Sequence, residues 1–438
     1  MNSVFTSSEP TWANACVGDN GSPSYVEYAH GFARAANLLI GSFLVGLGIK
    51  VHADDIVYPI CFNMRHAVEL HLKGAVEVLV RLAKYRGKKF EFDLKGSHDI
   101  GNIWVYFKDN SIEVDERYNT VVKELDTFIT DLAAVDPTGQ TFRYAVNIEN
   151  QKHLTEVKVI SIQHLANQFA EAEDHLTSLL RLGKHLEEEY SFGDSTTMLT
   201  RFQLFSIARR LPLRGDWGSK AFTEISTSIT EDFSLPSKKA FSNALDKIQE
   251  NIEMSYLIGV DSTPIALNKE ALEKFFNAWF HKHSDYKESY LGGPKILSGD
   301  DLFQSVMKGN GAKNEEALDK LLLLNDEQLS TVVSVYQFRI DRSMTEYFWI
   351  HQDRESKQLE IASRCEGGRR KFARHFLDKA NAFYEVVHSL VKLKRQDLSD
   401  WLLENYEMQG VFNDYQDWIS DMNWNSSEHG VVHKEYSV

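Results

Sequence analysis

The string from Tyr58 to Gly74, YPICFNMRHAVELHLKG, gathers guanidinium, imidazole and carboxylate groups within a few turns of one helical pattern. An imidazole exchanges protons near neutrality, and a guanidinium stays charged and makes paired hydrogen bonds. On a helical wheel with Ile60 at zero, Met64 falls at about 40°, His71 at about 20° and Val78 at about 0°. His71 therefore lies on an apolar stripe, where it reads as a hydrogen-bonded core or interface histidine. Arg65 lies about 120° from His71 on the same wheel. It stands at i,i+4 spacing from Glu69, which permits an intrahelical ion pair. His66 lies about 100° from Arg65 and reads either as a second polar participant or as a solvent-facing histidine.

At this string the sequence resembles the HEPN superfamily, α-helical bundles found in prokaryotic toxins, in abortive-infection and CRISPR-associated ribonucleases, and in noncatalytic nucleotide-handling modules. The segment RHAVELHLKG is similar to that family's characteristic helix, an Arg followed by a polar residue and, after a short interval, a His. Here these are Arg65, His66 and His71. Ser97-His98-Asp99-Ile100 and the stretch from Asp136 to Tyr144, DPTGQTFRY, also resemble a branch of the family, so the likeness covers roughly residues 25 to 190. The resemblance implies metal-independent endoribonuclease chemistry in defence or toxin-antitoxin biology. In it the ribose 2′-hydroxyl attacks the adjacent phosphate, His71 moves a proton and Arg65 stabilises the phosphate charge, with His66 as a further catalytic candidate. It also implies a homodimer through the HEPN-like unit, no cofactor, and an antitoxin or defence-system protein as partner. A noncatalytic scaffold or partner-binding bundle is the alternative.

Two basic runs are candidate RNA-backbone contacts: Arg81, Lys84, Arg86, Lys88 and Lys89 at the end of the same helix, and Arg369, Arg370 and Lys371 with Arg374 and His375 beside Gly367 and Gly368. Cations also favour a helix C-terminus for purely local reasons. Trp104, Tyr106, Phe107 and the trio from Tyr347 to Trp349 offer faces for stacking on bases, although aromatics at helical spacing are more often core. His281, His283 and Asp285 lack a partner cluster, which argues against zinc. The sequence contains no phosphate-binding loop, HExxH or GxSxG pattern.

The elements that must position these residues are helices. Of 438 residues, 43% are hydrophobic and 25% charged, as in ordinary globular proteins, and the length leans to two or three domains. Apolar residues recur at helical spacing almost throughout, which predicts an all-α protein; Thr155 to Ile162, TEVKVISI, alone has strand character. Five helices are expected near 25–48, 56–85, 99–110, 115–134 and 161–190. The polar, Gly-containing break at 191–197 then divides a HEPN-like bundle over 1–195 from an acidic helical domain over 196–438. Helices are expected there near 197–210, 237–256, 269–281, 299–308, 315–324, 326–354, 356–393 and 397–408.

Residues 1–100 are electrically balanced, so the net charge of −15 belongs to the remainder. Nonspecific nucleic-acid binding through bulk charge is disfavoured. The acidic domain is expected to regulate or target the bundle. Three scattered cysteines point to a reducing cytoplasm. The uncharged run from Ala35 to Ile49 is shorter than the ~20 residues a membrane-spanning helix needs, so no membrane partner is expected.

Overall fold

The computed structural model describes residues 3–18, 21–46, 52–147, 149–287 and 311–412. Among these the protein is all-α, with sixteen α-helices and one isolated backbone bridge, Val146 to Lys152. Residues 155–161 form an irregular approach to a helix that begins at Ile162, and the expected strand is absent. A strand requires a neighbour to take its backbone N–H and C=O groups, and no such ladder forms there. No helix among the described residues is long and apolar enough to cross a membrane. The chain divides into two compact units, the first ending at Gly193 and the second beginning at Asp194.

The first unit contains α1 (Tyr25–Val45), α2 (Ala53–Tyr85), α3 (Ile100–Val114), α4 (Tyr118–Val135) and α5 (Ile162–Ser191). Helix α1 starts in a capping box, with Ser24 and Glu27 each satisfying the other's backbone N–H. Asp99 and Ser161 cap α3 and α5 by accepting from the amides of Asn102 and His164. Helix α2 places Asp54 and Asp55 in its first turn and Lys84 in its last, where each charge suits the helix dipole. Gly87, at φ +65°, makes the left-handed turn that follows it.

Helix α2 is central and packs against α1, α3 and α5. Its buried Ile60, Met64, Val68, Leu72, Val76 and Leu79 face Trp104, Phe107, Leu125, Phe169 and Leu176 in one core. Each large apolar side chain contributes about 1.5–3 kcal/mol by leaving water, enough to fix the rotation of α2 and hence the direction of its polar residues.

The second unit contains α6 (Arg201–Arg210), α7 (Lys220–Asp232), α8 (Lys238–Glu250), α9 (Ile252–Leu257), α10 (Lys269–Lys282), α11 (Gly311–Leu321), α12 (Asp326–Gln337), α13 (Tyr347–Ser363), α14 (Gly368–Leu377), α15 (Ala382–Lys392) and α16 (Gln396–Asn405). Leu204, Ile207, Ile229, Phe241 and Ile248 centre one core, and Phe275, Phe276, Trp279, Val332 and Phe383 another.

Three expected long helices are broken. Asn251 splits the first because its side chain accepts from the amides of Glu253 and Met254 and so starts α9. A short 3-10 turn at Phe338–Ile340 and an irregular stretch to Glu346 end the second early. Gly367, at φ +70°, and Asn381 divide the third into α13, α14 and α15. Helix α7 was not expected: its Ser- and Thr-rich sequence is a poor helix former with Ile229 its one buried residue, so its apolar periodicity is faint. The helix expected at 299–308 lies outside the described residues.

Candidate functional site

Glu69 is the centre of the polar cluster on α2. It is 3% exposed and faces Arg65, His66, Lys73 and His98. Burial alone would raise its carboxyl, but His66, Lys73 and His98 closing around it and the charge of Arg65 hold it well below the usual carboxylate range. Lys73 Nζ lies 2.9 Å from Oε1 and His98 Nδ1 3.0 Å from the same oxygen, while His66 Nδ1 is 3.6 Å from Oε2. Spacings of three and four residues put Arg65, His66 and Lys73 around Glu69 on one helix. His98 arrives from the turn before α3.

Arg65 is buried and bonds four acceptors. It donates through Nε to the Asp136 carbonyl at 3.1 Å, through Nη2 to the carbonyls of His98 and Pro137, and through Nη1 to Glu69. Gly139, at φ +76°, seals this arrangement: a Cβ there would stand 3.1 Å from Nη1. Asp136 Oδ1 in turn accepts from the Thr141 amide at 3.0 Å and shapes the same loop. Arg65 therefore clamps the turns before α3 and after α4 onto α2. Four of its five N–H groups are taken in this way, which leaves a single Nη1–H and no paired donors for the phosphate-holding role expected of it.

His71 lies elsewhere. It is 1% exposed, its Nδ1–H donates to the Ala67 carbonyl at 2.8 Å, and its ring sits 5.7 Å from that of His30 on α1. Burial pushes the imidazole down to about 4, which leaves it neutral at pH 7. Its Nε2 is buried and has no hydrogen-bond partner among the described residues. Arg65 turns toward the α3 and α4 loops and His71 toward α1, so the two do not form a joint centre. The apolar-stripe reading of His71 describes its surroundings.

Both imidazoles beside Glu69 reach solvent: the side chains of His66 and His98 are 30% and 62% exposed. The His66 ring stacks on Phe62 at 5.8 Å and meets the edge of Phe32 at 4.4 Å. Arg143 lies 5.6 Å from the Phe62 ring and 5.3 Å from that of Tyr144. It is exposed and has no carboxylate partner among the described residues. Arg65 and Lys73 both pair with Glu69, beside two solvent-facing imidazoles. His98 and Arg143 belong to stretches singled out in the sequence, but as loop residues they carry no periodic signal of where they point.

The basic runs are largely consumed within the fold. Arg81 pairs with Glu187 and Glu77, Lys88 with Glu113 and Lys89 with Glu91; Arg86 is buried and Lys84 exposed. In the second unit Arg369 ties to Asp326 and to the carbonyls of Leu322 and Leu324, Arg370 to Glu315 and Asp319, and Arg374 to Glu315. Lys371 is left on the surface. Arg370 and Arg374 fasten α14 to α11 and Arg369 fastens it to the turn into α12, so these arginines do not form a free patch for RNA. Among the described residues no group of three or more His, Cys, Asp or Glu side chains is placed to hold a metal ion. His281 turns to Glu316, and His283 Nε2 bonds the Leu377 carbonyl at 2.9 Å.

A second buried cluster, unmarked by any sequence motif, sits in the second unit. Asn251 Nδ2 donates to Asp194 at 2.7 Å and to Glu346 at 2.8 Å. Arg201 bridges Glu346 and Glu253, and Lys392 lies 3.1 Å from Glu253. Burial and the hydrogen bond to Glu346 push the Asp194 carboxyl up to about 7.

Comparison of the chain with family models, with curated proteins and with solved structures finds no match. The functional reading therefore rests on the residues and their geometry.

Proposed function

We propose that the first unit is a HEPN-like module that cleaves RNA without a metal, with His66 and His98, rather than His71, as its proton-transfer groups. The observation that carries this reading is the buried, ionised Glu69 holding two imidazoles at a solvent-facing surface. In the reaction one imidazole accepts the proton of the ribose 2′-hydroxyl as its oxygen bonds to phosphorus. The other, protonated, gives its proton to the departing 5′-oxygen, leaving a 2′,3′-cyclic phosphate. Arg143 supplies a cation at the same surface, and Arg65 acts as a positioning residue by fixing the loop that carries His98. The homodimer and the defence or antitoxin partner remain parts of the proposal that rest on the family resemblance alone.

A noncatalytic scaffold is the second reading. It is favoured by the basic runs being tied up in intramolecular ion pairs. The experiment is RNA cleavage by the full chain in EDTA. Loss of a general acid or base lowers such reactions about 10²–10⁴-fold, so His66→Ala and His98→Ala are each expected to fall by at least about 100-fold, while His71→Leu cleaves normally. Absence of cleavage by the wild-type chain, or full activity in both histidine variants, rejects the catalytic assignment.

A further inference from the structure

We propose that His71 on α2 and His30 on α1 form a two-donor site for a monovalent copper ion, Cu(I), which would clip the two helices together. Neither ring takes part in the reaction proposed above, so the site stands or falls independently of that reading.

His71 has the surroundings of a ligand. A metal-binding histidine almost always donates its other ring N–H to a carbonyl, carboxylate or water, which fixes the tautomer and the direction of the lone pair. Here Nδ1–H donates to the Ala67 carbonyl, one turn back on its own helix. The lone pair is then on Nε2, at the side of the ring away from that helix. This nitrogen is buried with no hydrogen-bond partner among the described residues, on a residue 1% exposed. An acceptor in that position is costly until something binds it. Burial also pushes the imidazole down to about 4, so at pH 7 no proton competes for Nε2.

His30 supplies the second donor. It is exposed, which gives an ion a path in from solvent, and its ring centroid lies 5.7 Å from that of His71. Two imidazoles that share one ion at the usual ~2.0–2.1 Å hold their centroids roughly 5–6.5 Å apart, depending on the angle at the metal. The observed separation falls in that range. The donor count then selects the ion. Zn(II) sites are almost always four-coordinate, whereas Cu(I), with a filled d shell and a single charge, is satisfied by two imidazoles. Among the described residues no third His, Cys, Asp or Glu is placed to complete a larger set. Glu27, one turn before His30, has its Oε2 taken by the amide and hydroxyl of Ser24 in the capping box. A single charge between two neutral rings also costs less to bury than a double one.

Anaerobic competition between the full chain and a chromophoric Cu(I) chelator tests the site. The exposed thiols of Cys16 and Cys365 would bind Cu(I) themselves, so both are replaced by serine throughout; Cys61 is buried with its thiol pushed up to about 12 and stays protonated. A single equivalent is expected to be taken up. Losing an outer-shell partner of a ligand costs about 10–100-fold in affinity, so losing the ligand itself, in His30→Ala or in His71→Leu, is expected to cost at least about 100-fold. Bound Cu(I) should raise the unfolding temperature of the parent and leave that of either variant unchanged, and X-ray absorption should show nitrogen neighbours without sulfur. No stoichiometric uptake, uptake that survives either substitution, or sulfur in the coordination shell overturns the site. Zn(II) uptake as tight as that of Cu(I), and lost in the same variants, overturns the choice of ion. His30→Ala changes an exposed position and keeps the test decisive should His71→Leu fail to fold.

Discussion

Glu69 in the first unit and the Asp194, Glu253 and Glu346 group in the second are both buried acid clusters, yet they balance their charge in opposite ways. Around Glu69 one carboxylate is shared by two cations, Arg65 and Lys73, and two further neighbours, His66 and His98, extend from it to solvent. Around Asp194 three carboxyls draw on Arg201, Lys392 and nearby Lys394, and Asp194 is hydrogen-bonded to another acid, Glu346. There, burial favours a retained proton over another charge. The first arrangement keeps proton-exchanging groups at a surface and suits chemistry. The second encloses a proton and couples the fold to pH.

The largest expected effect comes from removing the centre of the open cluster. Glu69→Leu strands Arg65 and Lys73 as buried cations, and breaking a buried ion pair costs about 3–5 kcal/mol. Hydrogen exchange at the amides of Ile100 and Thr141, which report the two loops clamped through Arg65, should accelerate sharply. If these amides keep their protection, the carboxylate is dispensable and the contrast between the clusters fails.

Removing an acid from the closed cluster should act in the opposite direction above neutral pH. The folded-state Asp194 carboxyl sits at about 7, above its ordinary 3.8, so the folded chain retains a proton that the unfolded chain releases. The stability this group contributes is complete below about pH 4 and is lost as pH rises through 7. Asp194→Asn removes the titration, so thermal unfolding should show the variant more stable than wild type at pH 8, by about 1–3 kcal/mol, with the advantage shrinking toward pH 5. An unchanged pH dependence would place the proton elsewhere.

His71 belongs to neither cluster and sharpens the comparison from a third side, as a buried base without a charged partner. Its folded-state value of about 4 lies below the ordinary 6.5. The unfolded chain therefore takes up a proton first as pH falls, and stability is complete above pH 6.5 and lost between 6.5 and 4. His71→Leu fills the apolar site without an orphaned ring nitrogen and should remove about 2 kcal/mol of acid destabilisation at pH 5. A variant that retains the wild-type acid slope would assign that slope to another group.

The sequence made α2 and its two polar faces legible because both follow one helical period: His71 falls on the apolar stripe, and Arg65 meets Glu69 at i,i+4. His98 joins Glu69 from a turn, and Arg65 is held by carbonyls at 98, 136 and 137, contacts that obey no period. The same limit hid the neutralisation of Arg369 and Arg370, whose carboxylate partners lie more than forty residues earlier in the chain. Asp194, Asn251 and Glu346 meet only through tertiary packing, so no local pattern marks them. Helix breaks were harder still, since Asn251 fits a helical pattern until its side chain takes the amides of the following turn.

The smallest predicted effect measures how tightly the open cluster holds its loop. Gly139 and Gly193 have nearly the same backbone, φ +76° and +74°, so an alanine at either carries a left-handed penalty of about 1–2 kcal/mol. Their surroundings differ. Among the described residues nothing lies within 4 Å of a Cβ at Gly193, whereas at Gly139 it would press on the Arg65 guanidinium at 3.1 Å. Arg65 is fixed by four acceptors and has little room to yield, so Gly139→Ala should cost more than Gly193→Ala by a further ~1 kcal/mol, the lower end of what overpacking a filled site costs. Denaturant unfolding of the two variants isolates that difference, because the backbone term is common to both. Equal losses would mean that the guanidinium gives way freely and that the loop is held by Asp136 and Thr141 instead.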